Sequence, residues 1–272
     1  MKKSVSQNPS DNHSEENKEN FNLKPITPEG IFSFDCHPRV SCFNKCCHEI
    51  DVILTPYDIL KMKNGLKISS DKFLTKYTTF QTLKDTGIPL VKLLMREKSN
   101  GACIFLDVAK GCSIYKIRPQ VCRSYPLGLG TLDPRHAKLQ TEGQSPEARF
   151  MIQEDMCMGH REPKTWTLKN WVKDQGTVEM EKGNKSWMEI VAKLKSMKIS
   201  EKQNHEISLF IMASYDLDTF RKFVFKSSFL KRFDIAERTI KLIKNNDEGL
   251  LQFSMDWLLY ALFSEGSIRP KT

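Results

Sequence analysis

Short apolar runs separated by turn residues fill the first part of the chain and predict short strands and short helices. Residues 50–54 alternate loosely between apolar and polar positions, which indicates a strand. Thr55 followed by Pro56 provides an N-cap with proline at the first helical position, so we expect a helix that ends near Gly65. Ser70 is predicted to cap a second short helix that runs through Phe73, Leu74 and Tyr77.

Two further strands are predicted after these helices, at residues 89–95 and 103–106. The second run is followed by a turn through Gly111, where glycine suits a left-handed backbone, into residues 112–115. This pattern predicts a β-hairpin. Arg118-Pro119 is expected to begin another short helix.

A loop rich in glycine, proline and serine is predicted at residues 126–148, and the pattern beyond it is helical. Apolar residues recur there with the 3.6-residue period of amphipathic helices. The three stripes are Leu217, Phe220 and Val224; Ile235, Thr239, Leu242 and Ile243; and Leu250, Phe253, Trp257, Leu258, Ala261 and Leu262. Aromatic residues at this spacing are far more often core than cofactor pocket, so we assign the stripes to packing.

These elements predict an α+β fold that is mainly α with a small β component. Residues 1–22 are polar and charged, so they bury too little apolar surface to offset their ordering entropy and are expected to form a disordered tail. Residues 31–160 form the predicted cysteine-rich module, and residues 165–265 form a helical C-terminal region.

The composition is that of an ordinary globular protein. Of the 272 residues, 39% are hydrophobic and 28% are charged, and the formal net charge is +9. The longest apolar run, residues 257–263, is far shorter than the ~20 residues that a membrane-spanning helix needs. The sequence therefore argues against an integral membrane protein.

Basic residues exceed acidic residues by 12 to 6 between positions 191 and 245. Such an excess can attract nucleic acid or an acidic partner. Here the charges are interleaved and lie opposite apolar stripes, so a solvated helix face is the better interpretation and nucleic-acid binding is not expected. The sequence leaves a protein partner and the oligomeric state open.

Eight cysteines lie within the first 157 residues. They are Cys36, Cys42, Cys46, Cys47, Cys103, Cys112, Cys122 and Cys157. The start of the chain lacks the apolar segment of a secretory signal, so we expect a cytoplasmic protein in a reducing compartment. Clustered cysteines in such a compartment favour metal ligands or redox groups over disulfides, although buried structural thiols could explain one or two of them.

The spacing of the cysteines favours a metal centre. The first four follow the pattern C-x(5)-C-x(3)-C-C, and the others come singly from later segments. Zinc or an iron–sulfur cluster needs about four soft thiolates that converge on one point. The adjacent Cys46 and Cys47 would point to opposite faces of an extended backbone. Either a tight turn brings them to one centre, or they serve two centres.

These motifs resemble the YkgJ-type cysteine-cluster family over about residues 32–160. The matching residues are Phe34, Cys36, Cys42, Cys46 and Cys47; Leu54, Thr55 and Asp58; Gly101, Cys103, Phe105 and Leu106; Gly111, Cys112, Ile114 and Tyr115; and Arg118, Pro119, Cys122, Arg123, Tyr125 and Pro126. The family is described as zinc- or iron-chelating and often as iron–sulfur proteins, so the resemblance implies a 4Fe–4S cluster or zinc. In this family the first four cysteines usually follow a pattern close to C-x(2)-C-x(2)-C-C. In the present sequence both spacers between these cysteines are longer.

All eight cysteines are candidate metal ligands. The main candidates are Cys42, Cys46, Cys47, Cys103, Cys112 and Cys122, and the further candidates are Cys36 and Cys157. His37 and His48 flank the first cluster and either replace a thiolate at a zinc site or are polar loop residues. Four further side chains, Arg118, Arg123, Tyr115 and Tyr125, either stabilise the negative charge of the thiolates or only cap and pack.

Two classes of function stay open at this stage. The first is a metal-binding protein that acts in electron transfer or as a cluster-stabilised scaffold. The second is an enzyme, because the family is also similar to flagellin lysine-N-methylases, which implies S-adenosylmethionine as a substrate. The sequence has no glycine-rich nucleotide loop after a strand, so we favour the first class; the sequence leaves open whether there is catalysis, by a methyltransferase or an oxidoreductase, and it identifies no catalytic residue.

Overall fold

Short strands dominate the structure before residue 168, and helices dominate after it. The computed structural model describes residues 22–84, 86–131, 147–197 and 204–271. The first part contains β1 (Asn22–Ile26), β2 (Ile31–Ser33), β3 (Ile53–Leu54), α1 (Pro56–Gly65), α2 (Ser70–Tyr77), β4 (Thr78–Thr82), β5 (Pro89–Leu93), β6 (Met95–Arg96), β7 (Ala102–Cys103), β8 (Leu106–Asp107), β9 (Gly111–Cys112), α3 (Gln120–Ser124), β10 (Leu127–Thr131), β11 (Glu147–Gln153) and β12 (Thr165–Thr167).

The second part contains α4 (Leu168–Gln175), α5 (Thr177–Met197), α6 (Asn204–Tyr215), α7 (Leu217–Lys226), α8 (Phe229–Arg232), β13 (Phe233–Asp234), α9 (Glu237–Asn245), α10 (Asp247–Phe263) and β14 (Arg269–Pro270). The α+β class and the helical C-terminal half are confirmed. The predicted tail lies outside the described residues, apart from Asn22 at the start of β1. No helix in the described ranges is long and apolar enough to cross a membrane.

Helix α1 begins where the sequence predicts it, at a reciprocal cap. The Thr55 hydroxyl accepts a hydrogen bond from the Asp58 N–H at 3.2 Å, and the Asp58 carboxylate accepts one from the Thr55 N–H at 2.9 Å. These two bonds satisfy donors that a helix start otherwise leaves without partners. The helix ends at Gly65, where a Cβ atom would lie only 2.5 Å from the Ile117 side chain. This close approach ties α1 to the segment that leads into α3.

The strand predicted at residues 89–95 is central in an antiparallel sheet of order β3-β5-β4. Leu90, Val91 and Leu93 of β5 are all buried, because β5 has a strand on each side and helices against it. The regular pairing stops at Leu93, and Met95 begins the separate strand β6.

The single strand predicted at residues 103–106 is wrong. The segment forms two strands of two residues each, β7 and β8, which pair with different partners. The Arg96 guanidinium donates hydrogen bonds of 2.6 and 2.9 Å to the carbonyl oxygens of Ile104 and Leu106. Because the Arg96 side chain donates to both carbonyl oxygens, the backbone can turn between β7 and β8 while these two acceptors keep a hydrogen-bond partner.

The predicted hairpin between β8 and β9 is confirmed. Leu106 lies opposite Cys112, and Gly111 has a positive φ of 87°. The Asp107 carboxylate accepts hydrogen bonds from the backbone N–H groups of Ala109 and Lys110, both at 3.0 Å, and so closes the turn.

Part of the loop predicted at residues 126–148 is instead a strand. β10 pairs with β11, and β1 pairs with the other edge of β11. Cβ atoms on Gly128 and Gly130 would lie 3.0 and 3.2 Å from the side chains of Ile152 and Phe150. These glycines leave space for large side chains of the neighbouring strand. Closely spaced glycines also indicate a turn, which is why the sequence pattern predicts a loop here. Residues 132–146 lie outside the described residues.

One large hydrophobic core joins the first part of the chain to the helical half. It contains Met62 of α1, Val91 of β5, Ile190 of α5 and Leu258 of α10, all with side chains almost completely buried. Residues of the predicted stripes on α7, α9 and α10 belong to the same core, including Phe220, Ile243, Leu250 and Trp257. The packing assignment of these residues is therefore confirmed.

A second, smaller core lies beside the first cysteines. Its buried members are Phe32, Phe34, Leu127, Met151 and Trp171. The Trp171 ring packs edge-on against Phe34, with ring centroids 5.5 Å apart. This core connects β2, β10, β11 and α4, and it anchors the chain directly before Cys36.

Candidate metal centre

A loop of successive tight turns carries the first four cysteines. The N–H of Phe43 donates to the Val40 carbonyl at 2.9 Å, and the N–H of Lys45 donates to the Cys42 carbonyl at 2.9 Å. Asn44 has a positive φ of 69° and leads into a 3-10 turn, Lys45–Cys47. The doublet therefore lies in a tight turn and not in extended backbone.

Cys46 and Cys47 interact directly through their side chains. The hydrogen bond from the Cys47 thiol is the largest effect on Cys46 and lowers the pKa of Cys46 to about 7. The same bond raises the pKa of Cys47, with burial adding to the effect. The pair therefore favours a thiolate on Cys46 that accepts from a neutral Cys47.

Cys36, Cys42 and Cys157 are brought together by backbone hydrogen bonds between distant segments. The N–H of Asp35 donates to the Gly159 carbonyl at 3.1 Å, and the N–H of Met158 donates to the Cys42 sulfur at 3.1 Å. Sulfur atoms with backbone N–H donors are a common feature of metal–thiolate centres, since the donor stabilises the anionic sulfur.

The thiols of this group affect one another electrostatically. The pKa of Cys36 is raised to about 11 by burial and then by the charges of Cys46, Cys42 and Cys157. Burial also raises the pKa of Cys157, while a hydrogen bond from the Tyr125 hydroxyl opposes that rise. Several thiolates that lie close together without a cation repel one another, and this repulsion raises their pKa values. A bound cation would instead stabilise the thiolates and lower their pKa values.

A second group is built around the strands β7, β8 and β9. His48 forms a β-bridge with Ala102, and the N–H of Glu49 donates to the Gly101 carbonyl at 2.9 Å. The bridge places Cys47 beside Cys103, since partners in an antiparallel pair advance in opposite directions. Cys112 follows in β9, and a Cβ on its neighbour Gly111 would lie 3.1 Å from the Phe43 ring of the cysteine loop.

Cys122 belongs to this second group through helix α3. Burial, and then the charges of Cys103, Cys112 and Cys46, raise the pKa of Cys122 to about 12. Burial also raises the pKa of Cys103 and of Cys112, and the positive charges of Arg96 and Arg118 oppose the two shifts respectively.

Buried polar contacts fix the position of α3. The Asp58 carboxylate, which caps α1, also accepts a hydrogen bond from the Gln120 N–H at 2.7 Å. The Asn184 amide donates to the Gln120 side chain at 2.9 Å, and its oxygen accepts from the Tyr57 N–H at 3.3 Å. Burial raises the pKa of Asp58, and the three hydrogen bonds from Thr55 and Gln120 oppose this rise.

One of the two candidate arginines affects a cysteine thiol electrostatically, and the other only supports the local fold. Arg118 stacks on the Tyr115 ring at 3.7 Å, and its charge opposes the rise in the pKa of Cys112 that burial causes, so it acts on this thiol as well as packing. Arg123 donates to the carbonyl oxygens of Lys116 at 3.1 Å and Gln175 at 2.7 Å, which makes it a brace for α3.

The two candidate histidines have protein partners. The His37 Nε2 lies 3.3 Å from the Glu162 carboxylate, and the His48 Nδ1 lies 3.1 Å from the Asn100 carbonyl oxygen. These contacts fit polar loop histidines. Their role as substitutes for a thiolate is not supported by any contact with a cysteine.

Three residues near the thiols were missed as site residues in the sequence. Arg96 orders the β7–β8 segment, Asp58 anchors α3, and His160 packs edge-on against Phe34 with its Nε2 3.5 Å from the Tyr125 hydroxyl. The Asp58 cap was recognisable, but its second bond to Gln120 depends on the tertiary fold.

The chemistry of the site fits zinc or iron. All eight cysteines lie in the described part of the chain and are free thiols, and Cys36, Cys46 and Cys122 are exposed. Within those same described ranges, no three His, Cys, Asp or Glu side chains are already arranged to hold a metal ion. The donor type and number therefore suit a soft-ligand metal, and binding requires the sulfur atoms to close further on it.

Comparisons with known proteins agree with this donor set. Residues 35–158 match the family model CxxCxxCC, described as "Putative zinc- or iron-chelating domain". The uncharacterized protein MJ0661 of Methanocaldococcus jannaschii is 37% identical over 90 residues, which cover 31% of this chain and 41% of that protein. The chain thus spans less than half the length of this relative. No solved structure matches.

Proposed function

We propose that residues 35–158, which match the family model described as a zinc- or iron-chelating domain, hold iron in a 4Fe–4S cluster and act in electron transfer. The observation that supports the proposal is that backbone hydrogen bonds and a β-bridge join separate segments that carry the free thiols, through Asp35 and Gly159, Met158 and Cys42, and His48 and Ala102. The thiols come from the 34–48 loop, from β7, β9 and α3, and from the turn after β11. Thiolates are the ligands that iron–sulfur clusters use.

The surroundings of the sulfur atoms suit an anionic cluster. The Met158 N–H already donates to the Cys42 sulfur at 3.1 Å, and hydrogen bonds of this kind tune cluster potentials. Arg96 and Arg118 provide positive charge near Cys103 and Cys112. These groups offset part of the negative charge that several thiolates bring.

The position of the thiols supports exchange of electrons with another molecule. As residues, Cys36, Cys46 and Cys122 are exposed, although neighbouring groups desolvate the thiols of Cys36 and Cys122 and raise their pKa values, so this part of the thiol group reaches the surface. Cys157 instead packs against the small core in which the Phe34 and Trp171 rings meet edge-on. A bound 4Fe–4S cluster supplies one-electron transfer, while the protein supplies its ligands, charge and solvent access.

Anaerobic purification followed by iron, zinc and sulfide analysis tests the proposal. We expect a brown protein with broad absorption near ~400 nm, iron and acid-labile sulfide in equal amounts, and reversible reduction. Colourless protein with stoichiometric zinc would replace the iron–sulfur proposal by a structural zinc site. Protein with eight reactive thiols and no affinity for either metal would refute metal binding.

The enzyme alternative implied by the resemblance is tested on the same sample. S-adenosylmethionine is titrated into the metal-loaded protein by calorimetry. We expect no binding, and binding at micromolar concentration would favour a methylase.

A further inference from the structure

We infer that a redox partner protein with a carboxylate-rich face docks beside helix α3. The docking surface, which we name the α3 face, consists of Tyr115, Lys116, Arg118, Val121 and Cys122. The inference rests on the proposal that the thiols hold a redox-active centre, and it names the kind of molecule that exchanges electrons with that centre.

Two large side chains of the α3 face are exposed to solvent. Tyr115 is 59% exposed and Val121 is 47% exposed, and Cys122 follows Val121 directly in α3. Cys122 is itself an exposed residue, although neighbouring groups desolvate its thiol. A centre held by this thiol would therefore lie next to the exposed surface. Tyrosine is enriched at protein–protein interfaces, because its large ring gives contact area at a small cost in conformational entropy.

Hydrogen bonds to fixed groups hold the Tyr115 ring in position. The Arg118 guanidinium lies 3.7 Å from the centre of the ring, and it donates to the Tyr115 carbonyl at 2.9 Å and to the Gln175 side chain. Arg123 donates to the Arg118 carbonyl at 3.2 Å and to the Gln175 carbonyl at 2.7 Å. Gln175 is buried at the end of α4, so it anchors the stacked pair. A side chain that is held in place before binding loses little freedom on association.

The charge of the α3 face is positive. Residues 108–131 contain no acidic residue and four basic residues, which are Lys110, Lys116, Arg118 and Arg123. The two arginines donate to carbonyl and amide oxygens, and these hydrogen bonds do not neutralise their charge. A partner with carboxylates at its contact surface would be attracted to this charge.

Acidic groups beside the α3 face offset only part of its charge. The charges of Asp58 and Glu179 act on Arg123, but Asp58 is almost completely buried and Glu179 forms an ion pair of 2.7 Å with a lysine of α1. Asp174 adds one exposed carboxylate near the end of α4. Among the described residues, no carboxylate pairs with the exposed Lys116. The positive charge of this lysine is therefore free to attract a partner.

The same features favour a protein over a nucleic acid. The guanidinium groups of Arg118 and Arg123 already donate to oxygen atoms of the protein, so few of their N–H groups remain for phosphates. Nucleic-acid binding relies on many phosphate contacts. A small electron-transfer interface needs only a few charged groups around an apolar centre.

Electron transfer to carriers of opposite charge tests the inference on the reduced, metal-loaded protein. The probes are an oxidised acidic blue-copper protein and an oxidised basic c-type cytochrome, each of which accepts one electron from the centre. We expect the rate constant for the acidic carrier to fall by about tenfold between ionic strengths of about 0.01 M and about 0.3 M, because salt screens the attraction. The rate constant for the basic carrier should rise over the same range.

Charge reversal at one position locates the docking site. Lys116→Glu keeps the backbone carbonyl that accepts from Arg123, and at low ionic strength it should lower the rate constant for the acidic carrier by about fivefold. The control Lys231→Glu makes the same change of net charge at an exposed position in α8 and should stay within about twofold of the wild type. Tyr115→Ala should lower the rate constant at both ionic strengths, because it removes contact area and not charge.

The outcomes separate this inference from the proposed function. Protein without a centre that can be reduced would overturn the proposed function and this inference with it. A reducible centre with equal rate constants in Lys116→Glu, Lys231→Glu and the wild type would overturn the docking site alone. Binding of a short DNA duplex that Lys116→Glu abolishes, together with unchanged electron-transfer rates, would assign the α3 face to nucleic acid and also overturn the inference.

Discussion

The backbone N–H of Met158 donates a hydrogen bond of 3.1 Å to the sulfur of Cys42. This bond brings the lone Cys157 to the loop that contains the first four cysteines. A sulfur that accepts a backbone N–H is stabilised as a thiolate, and thiolates are the form that binds metal.

Replacing Met158 by proline removes the donor without removing any thiol. Met158 begins the 3-10 turn and Cys157 before it has an extended backbone, so proline fits there. We expect Met158→Pro to weaken metal binding by about tenfold, which is the loss of about 1.4 kcal/mol that one hydrogen bond to a charged group can contribute. Competition titration with a zinc chelator measures this change.

Met158→Ala is the matched control, because it shortens the same side chain and keeps the N–H. Its affinity should remain close to that of the wild type. Equal losses in both variants would show that the side chain, and not the hydrogen bond, supports the site.

Asp58 couples the start of α1 to the helix that carries Cys122. Its buried carboxylate accepts from the N–H groups of Thr55 and Gln120 and from the Thr55 hydroxyl. We expect Asp58→Ala to lower the free energy of unfolding by about 3 kcal/mol, because buried donors lose a charged partner. Urea denaturation of the two proteins measures the difference.

Glu237→Ala provides the comparison for a carboxylate outside the core. Glu237 pairs with Lys241 at 2.8 Å, but its side chain is 81% exposed. Its removal should change the free energy of unfolding by less than about 0.5 kcal/mol. If Asp58→Ala has an equally small effect, the cap does not hold α3.

The charge cluster around Asp247 makes stability depend on pH. Burial alone would raise the pKa of Asp247, but the hydrogen bond and charge of Lys63 and the charge of Arg221 lower it overall. A depressed folded-state pKa stabilises the fold above the unfolded value of about 3.9, and this contribution is lost as pH falls through the folded-state pKa. We expect Asp247→Asn to reduce the loss of stability between pH 5 and pH 2, roughly the range in which such a group titrates.

Denaturant unfolding across that pH range compares the variant with Glu237→Gln, which removes the charge of an exposed pair. Glu237→Gln should retain the wild-type slope. An unchanged slope for Asp247→Asn would mean that Asp247 does not contribute to the acid sensitivity of the protein.

The elements with local signals could be predicted from the sequence. The Thr55 and Asp58 pattern with Pro56 specifies the start of α1 through contacts that span three residues. Pro119 similarly precedes α3, and Gly111 closes the β8–β9 turn with its positive φ. In each case the physical cause lies within a few residues of the signal.

The assembly of the cysteines could not be predicted, because long-range backbone bonds produce it. Nothing near Cys157 indicates that Asp35 binds the Gly159 carbonyl. The pattern analysis also identifies no apolar stripe in α5, which lies in the predicted helical region, although Trp187, Ile190 and Leu194 are buried on one face of it. Lysines and glutamates between these positions hide the apolar stripe.

The last prediction concerns the contribution of the metal to folding. The loop at residues 34–48 is held by local hydrogen bonds of tight turns, and its 3-10 turn contains no buried residue. Metal binding should therefore supply part of the folding free energy of the cysteine-rich region. We expect Cys122→Ser, or chelation of the wild-type metal, to make the cysteine-bearing segments at residues 34–48 and 118–126 sensitive to limited proteolysis, while the core shared by Val91, Phe220 and Leu258 stays protected.

Ser124→Ala is the control for Cys122→Ser, since it changes a residue of the same short helix without removing a thiol. It should show the wild-type cleavage pattern in the presence of metal and become sensitive on chelation. Mass spectrometry of the fragments locates the cuts. Wild-type resistance of Cys122→Ser, together with no effect of the chelator, would show that the fold of this region is independent of the metal.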